Sequence, residues 1–294
     1  MHQYLRAIGF SDVTKQDMET LVKDTWDHFE YHEIVNEGES MNFAEVSKPF
    51  AEQMGIAIRG EYTSEDEFEW EYYYPYFRGE GITSTEEVTV ERHADGDAYS
   101  GVCDDVKIGV TLIFYLQNIA EYLNHIGEHS LNSNYTVTLS GLSNSGKILL
   151  PISKNESQIK NDREASINRN KLIAAARNGD EDAIESLTLE DMDMYSMISR
   201  RIMYEDVLSI VDTYFMPYGV ECDQYSIMGE ILNYQLVENS ITKEEIYILT
   251  LDCNELTFDI CINKEDLVGE PERGRRFRGT IWLQGRINYE DEMI

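Results

Sequence analysis

The spacing of apolar residues changes period several times along the chain, and each change predicts an element. Met18, Leu21, Val22, Trp26 and Phe29 recur three or four apart within 14–29, with Thr14 and Asp17 at the start, which predicts a capped amphipathic helix. The period then falls to two. Ile56 and Ile58, then Phe68, Trp70, Tyr72 and Tyr74, then Val88 and Val90 alternate with polar neighbours, so 54–92 reads as an antiparallel sheet with one wet, acidic face. Residues 106–126 fit a helix capped by Asp104 and Asp105 through Leu112, Leu116, Ile119 and Leu123. The first half also alternates like a strand, but the stretch is read as helix.

Residues 135–150 read as a hairpin turning on Ser143-Asn144-Ser145-Gly146 and closed by Pro151. From 154 to 202 the chain is polar and helical. One helix stops at Asn178-Gly179, another begins at Asp180, and a third runs from Thr188 through Met194, Ile198 and Ile202. Alternation returns from 225 to 289, with a helical pause at 264–267. About five strands in this length suit a small closed barrel of the OB type. The fold class expected is therefore α+β, in three parts: an N-terminal antiparallel sheet with helices over 1–152, a helical connector over 153–205, and a β-rich OB-like domain over 206–294.

Composition narrows the partners more than the fold. The 294 residues carry 24 Lys plus Arg against 56 Asp plus Glu, a formal net charge of −32. Such a surface repels phosphate backbones and anionic headgroups, so nucleic acid is disfavoured as a partner and a membrane is not expected. No apolar run is long enough for a membrane span, and residues 1–10 lack a secretory apolar core. Cys103, Cys222, Cys253 and Cys261 show no C-x-x-C spacing and read as reduced core residues, which places the expected compartment in the cytoplasm.

Several phrases are distinctive: the opening 4–10, Gly101-Val102-Cys103-Asp104-Asp105, the blocks 172–191 and 212–224, and 269–285 with its Trp282-Leu283-Gln284-Gly285. Together the chain resembles, over nearly its full length, an uncharacterised family of clostridial gut bacteria, a domain of unknown function. The resemblance implies a bacterial, cytoplasmic protein and assigns no catalytic residue.

Three motifs offer chemistry. Gly141 to Lys147 matches the spacing of a phosphate loop, but Ile148 stands where Ser or Thr must hold Mg²⁺, and a strand follows instead of a helix. His125-Ile126-Gly127-Glu128-His129 has the H-x-x-E-H order of inverted zinc peptidases, with His125 and His129 as ligands and Glu128 as general base. The plainer account is a polar helix end whose imidazoles sit near a C-terminal dipole. Arg273, Arg275, Arg276 and Arg278 surround Phe277 and run against the charge trend. They either grip an anion or acidic protein, with Phe277 stacking, or pair internally with the chain's own carboxylates.

Because each catalytic signature breaks at a residue its chemistry needs, the expectation is a binding or adaptor protein without catalysis or cofactor, whose partner is a protein with a basic surface. The alternatives are a metal-dependent hydrolase on His125, Glu128 and His129, and a nucleotide or nucleic-acid module on the C-terminal barrel.

Overall fold

In the computed structural model, residues 2–36, 42–62, 68–92, 98–105, 108, 110–128, 135–152 and 156–289 are described. The first helix forms as its pattern requires. In α1 (Lys15–Asp27), Thr14 and Asp17 make a reciprocal capping box, and Met18, Leu21 and Val22 are buried. This helix lies on a four-stranded antiparallel sheet ordered β1 (Tyr31–Asn36), β2 (Asn42–Ala51), β3 (Met54–Tyr62), β4 (Phe68–Phe77). The periodicity reading missed β1 and β2. Pro49 argues against a central strand, yet it sits at a register shift in the β2–β3 ladder, where its missing N–H costs little.

The remaining strands build one larger mixed sheet. β5 (Val88–Arg92), expected beside β3 and β4, pairs instead with β6 (Tyr99–Cys103), which pairs with β7 (Leu112–Leu116). The expected helix over 106–126 is thus corrected: Leu112 and Phe114 belong to a strand, and α2 (Ile119–Glu128) begins only afterwards. Among the described helices none is capped by Asp104 or Asp105. Asp105 accepts a hydrogen bond from Ser84 Oγ at 2.7 Å, and Asp104 accepts one from Thr111 Oγ1.

The expected hairpin at 135–150 is a single strand, β8 (Tyr135–Leu149). Tertiary pairing overrides its turn residues. Every part of β8 lies antiparallel to β14 (Arg276–Tyr289), with one register shift near Thr280. A Cβ on Gly146 would stand 2.3 Å from the Phe277 ring, so this glycine admits a core side chain. Between β8 and β14 come three helices, the last a single turn, and five strands. The third helix expected from Thr188 merges with the second, so the connector holds only α3 (Glu156–Arg177) and α4 (Glu181–Arg201), followed by the single turn α5 (Val207–Ile210). Then come β9 (Tyr214–Pro217), β10 (Gln224–Glu238), β11 (Glu245–Cys253), β12 (Leu256–Asn263) and the short β13 (Leu267–Val268). The helical pause is a 3-10 turn at Lys264–Asp266.

The ladders run from β8 through β12, β11, β10 and β14, and β14 pairs with β8 again. The larger sheet therefore takes strands from both sides of the helical segment. At β11 both faces are covered, which explains the near-continuous apolar run Ile246–Leu251. Of the four cysteines expected in the core, Cys103, Cys253 and Cys261 are buried, whereas Cys222 is exposed. Leu249, Leu251, Phe258, Ile260, Phe277 and Leu283 fill one core. Ile246, Ile248, Cys261 and Trp282 face the other way and join the N-terminal turn Gln3–Ile8, α1 and the small sheet in a second.

Candidate functional site

The arginine run does not converge into a cationic patch, because strand geometry and a preceding turn send its members to different partners. Arg273 donates through Nη2 to Asn233 Oδ1 at 2.6 Å, and Arg275 pairs with Glu272 at 2.6 Å. Phe277 points the opposite way from its neighbours and is fully buried. Arg278 donates to Tyr214 OH at 3.1 Å. Arg276 is buried, and main-chain carbonyls receive its hydrogen bonds to oxygen. Nε and Nη2 reach Leu150 O at 3.1 and 3.0 Å, Nη2 also reaches Leu208 O at 2.9 Å, and Nη1 reaches Val211 O at 2.9 Å. Burial lowers its pKa, against the attraction of Asp212. Arg276 thereby pins the end of β8 to the end of α5, on either side of the helical segment.

Of the H-x-x-E-H motif, the structure places His125 and the backbone of the last turn of α2, which ends at Glu128. His125 Nδ1 lies 2.9 Å from Glu121 O, and its ring stacks on Tyr289 with centroids 3.7 Å apart. The Glu128 side chain and all of His129 lie outside the described residues. Among the described residues no cluster of three or more His, Cys, Asp or Glu has metal-binding geometry. Gly141 and Lys147 of the phosphate-loop match are strand residues of β8, so no loop is present to cradle a phosphate.

A buried polar cluster with no local pattern in the sequence centres on Arg59. Arg59 on β3 is completely buried between the sheets. It donates to Glu45 Oε2 at 2.6 Å, Tyr115 OH at 2.9 Å, Tyr72 OH at 3.0 Å and Leu116 O at 2.8 Å. Burial works against the charge, but Glu45 and the surrounding phenol oxygens outweigh it and hold the pKa well above the ordinary value. With its donors occupied, this centre fastens β7 of the larger sheet to β2, β3 and β4. No position for a ligand remains.

Open hollows lie on either side of α1. On one side a groove of about 560 Å³ runs between the helix and the turn after β10, floored by Phe10, Val13, Leu21 and Ile241. Its rim carries Asp12, Asp17, Asp24 and Glu244, with no basic residue among the lining groups. The turn is fixed: Asn239 donates to Ile8 O at 2.9 Å, Thr242 to Gly9 O at 2.6 Å, and Ser11 Oγ to Glu244 at 2.7 Å. The Asp24 carboxyl is held below its ordinary pKa by its hydrogen bond from Lys48. Across the helix lies a smaller hollow of about 230 Å³, where Trp26 stacks on Phe68 at 4.0 Å and Trp70 is about half exposed. Asp17, Leu21 and Asp24 at helical spacing were the available sequence signal for the larger groove. Its far wall comes from the turn after β10, in the C-terminal part of the chain, and left no such signal.

The described residues thus form a two-sheet α+β fold with an acidic groove beside α1 and with Arg59 and Arg276 bonded internally. By comparison with known families, the chain belongs to the one described as "Domain of unknown function, E. rectale Gene description (DUF3881)", which matches residues 5–285. No curated protein and no solved structure matches it. Among the described residues no helix is long and apolar enough to cross a membrane.

Proposed function

We propose that this chain is an acidic binding module that receives a basic, apolar-anchored segment of a partner protein in the groove between α1 and the 239–244 turn. The supporting observation is the pairing of an apolar floor, Phe10, Val13, Leu21 and Ile241, with a rim of four carboxylates. An aliphatic or aromatic side chain of the partner gains by burial on that floor, while Lys or Arg beside it meets the rim. The net charge of −32 steers such a segment towards the protein, and salt weakens the encounter. We further read β8, β10, β11, β12 and β14 as the small OB-like barrel, supported by their number and by the return of the ladder to β8. Its arginines are engaged internally, so that barrel supplies scaffold in this reading and the partner surface is cationic.

The test reverses the groove without disturbing the fold. Asp12 and Thr20 are exposed, so Asp12→Lys with Thr20→Lys changes the net charge by only three. Low-salt capture from lysate of the parent bacterium is expected to return a stoichiometric protein, with photo-crosslinks from position 241 mapping to a basic segment. A synthetic peptide of that segment should bind the double variant at least tenfold more weakly, about 1.4 kcal/mol. Capture of no stoichiometric partner, or equal binding by both proteins, overturns the reading.

A further inference from the structure

Strands β8 and β14 set two cations side by side. Lys147 lies directly opposite Arg278 in their antiparallel ladder, and Met228 and Tyr214 continue the same row across β10 and β9. Residues opposite each other in a ladder project to one face with Cβ atoms about 5 Å apart, and like charges so placed repel. Both side chains are exposed. Arg278 uses Nε on Tyr214 OH at 3.1 Å, which leaves its two Nη groups without a partner among the described residues. Lys147 has no hydrogen-bond or ion-pair partner there. A chain with 56 Asp and Glu against 24 Lys and Arg thus leaves this pair without a bonded carboxylate.

The next row supplies hydroxyls. Ser145, Thr280 and Ser226 stand opposite one another on β8, β14 and β10, on the face of the two cations. Ser226 Oγ lies 3.3 Å from Tyr214 OH. The rows on either side are covered. Arg276 lies under α5, bonded to Leu208 O, and Trp282 lies under the turn Gln3–Ile8, where Tyr4 stacks on it at 5.4 Å. The cation row and the hydroxyl row between them form a shallow polar trough. Two acids border it. Asp266, next to β13, is paired with Arg6 at 2.5 Å, and Glu230 belongs to the covered row of Arg276.

We infer that this trough binds a phosphoryl dianion, either inorganic phosphate or a small phosphate ester. The two Nη groups form a planar fork that matches two oxygens of a tetrahedral oxyanion, Lys147 meets the remaining charge, and the hydroxyls donate beside them. A phosphate monoester carries about −1.5 to −2 charge at neutral pH, which offsets both cations and removes their repulsion. A long polyanion meets the whole surface of net charge −32, whereas a small ion senses only charges within about 8 Å at physiological salt. The inference gives a ligand to a sheet that the α1 groove reading treats as scaffold, and it stands independently of that reading.

Calorimetric titration of the full chain with sodium phosphate, at an ionic strength held constant with sodium chloride, should show saturable binding. Lys147→Gln with Arg278→Gln, both at exposed positions, should weaken it by about tenfold or more with unchanged circular dichroism. Arg273→Gln with Arg275→Gln removes the same charge elsewhere and should leave the affinity unchanged. Phosphate should also raise the urea midpoint of the wild type and not that of the Lys147, Arg278 variant. Glycerol 3-phosphate distinguishes the sources: binding of the ester assigns a small phosphorylated molecule, and binding of phosphate alone assigns the free ion. No saturable binding of either, equal binding by the Lys147, Arg278 variant, or an equal loss in both double variants would each overturn the inference.

Discussion

Arg276 shows how little residue type says about residue role in this chain. Four arginines in six residues suggest a single cationic surface, yet they have four different environments, and only Arg276 is buried. Its acceptors are carbonyls of Leu150, Leu208 and Val211. Main-chain acceptors leave no signature in a sequence, so the clamp is not legible there; pairing with the chain's own carboxylates is the expectation the charge balance supports, and Arg275 meets it through Glu272. Truncating Arg276 to Ala removes a buried guanidinium and its bonds to part-buried carbonyls and should cost about 1–3 kcal/mol in urea unfolding at neutral pH. Arg276→Lys should recover only part of that, because one ammonium cannot reach both the Leu150 and the Val211 sides. Arg273→Ala and Arg275→Ala remove exposed contacts and should each stay within about 0.5 kcal/mol of wild type. Equal losses for all three alanine variants would contradict the assignment.

At the level of elements, periodicity served where local and tertiary demands agree. α1 has its apolar stripe and its capping box in one stretch, and it appears close to its expected ends. In β11 and β12 the alternation follows two cores on opposite faces. The expectation failed at β8, where Ser-Asn-Ser-Gly has the composition of a turn and the strand continues through it with a one-residue bulge at Asn144. The controlling contact is the Phe277 ring over Gly146, which joins residues far apart in sequence and cannot be read from a local window. Gly146→Ala forces a fully buried ring to move and should destabilise by about 1–3 kcal/mol, read from the urea midpoint. In a Phe277→Leu background the same change should cost clearly less, since the smaller side chain yields the space. An equal penalty in both backgrounds would mean that Gly146 is needed for its backbone and not for the space beside it.

For the whole molecule, the arrangement of the helical segment matters most. Leu150 O and Leu208 O accept from the same Nη2 at 3.0 and 2.9 Å, so the points where the chain leaves the sheet and rejoins it lie within two hydrogen-bond lengths of each other. The sequence showed a polar helical stretch between two β-rich parts, but the closeness of its ends depends on the Arg276 clamp and was invisible. A segment with adjacent ends and exposed polar contacts to the body is expected to be removable. Deleting 153–204 and joining Ile152 to Glu205 through about six Gly and Ser residues keeps Arg276, its carbonyl acceptors and the Asp206 cap of α5, and it replaces a long closure by a short one. The shortened protein should unfold in a single urea transition within about 1 kcal/mol of wild type, because the lost bonds to Asp104 and Glu255 are exposed. It should also retain the peptide affinity of the α1 groove, whose lining lies wholly outside the deleted segment. If the deletion unfolds the sheets, the helices contribute to the core and the excursion view of the fold is wrong.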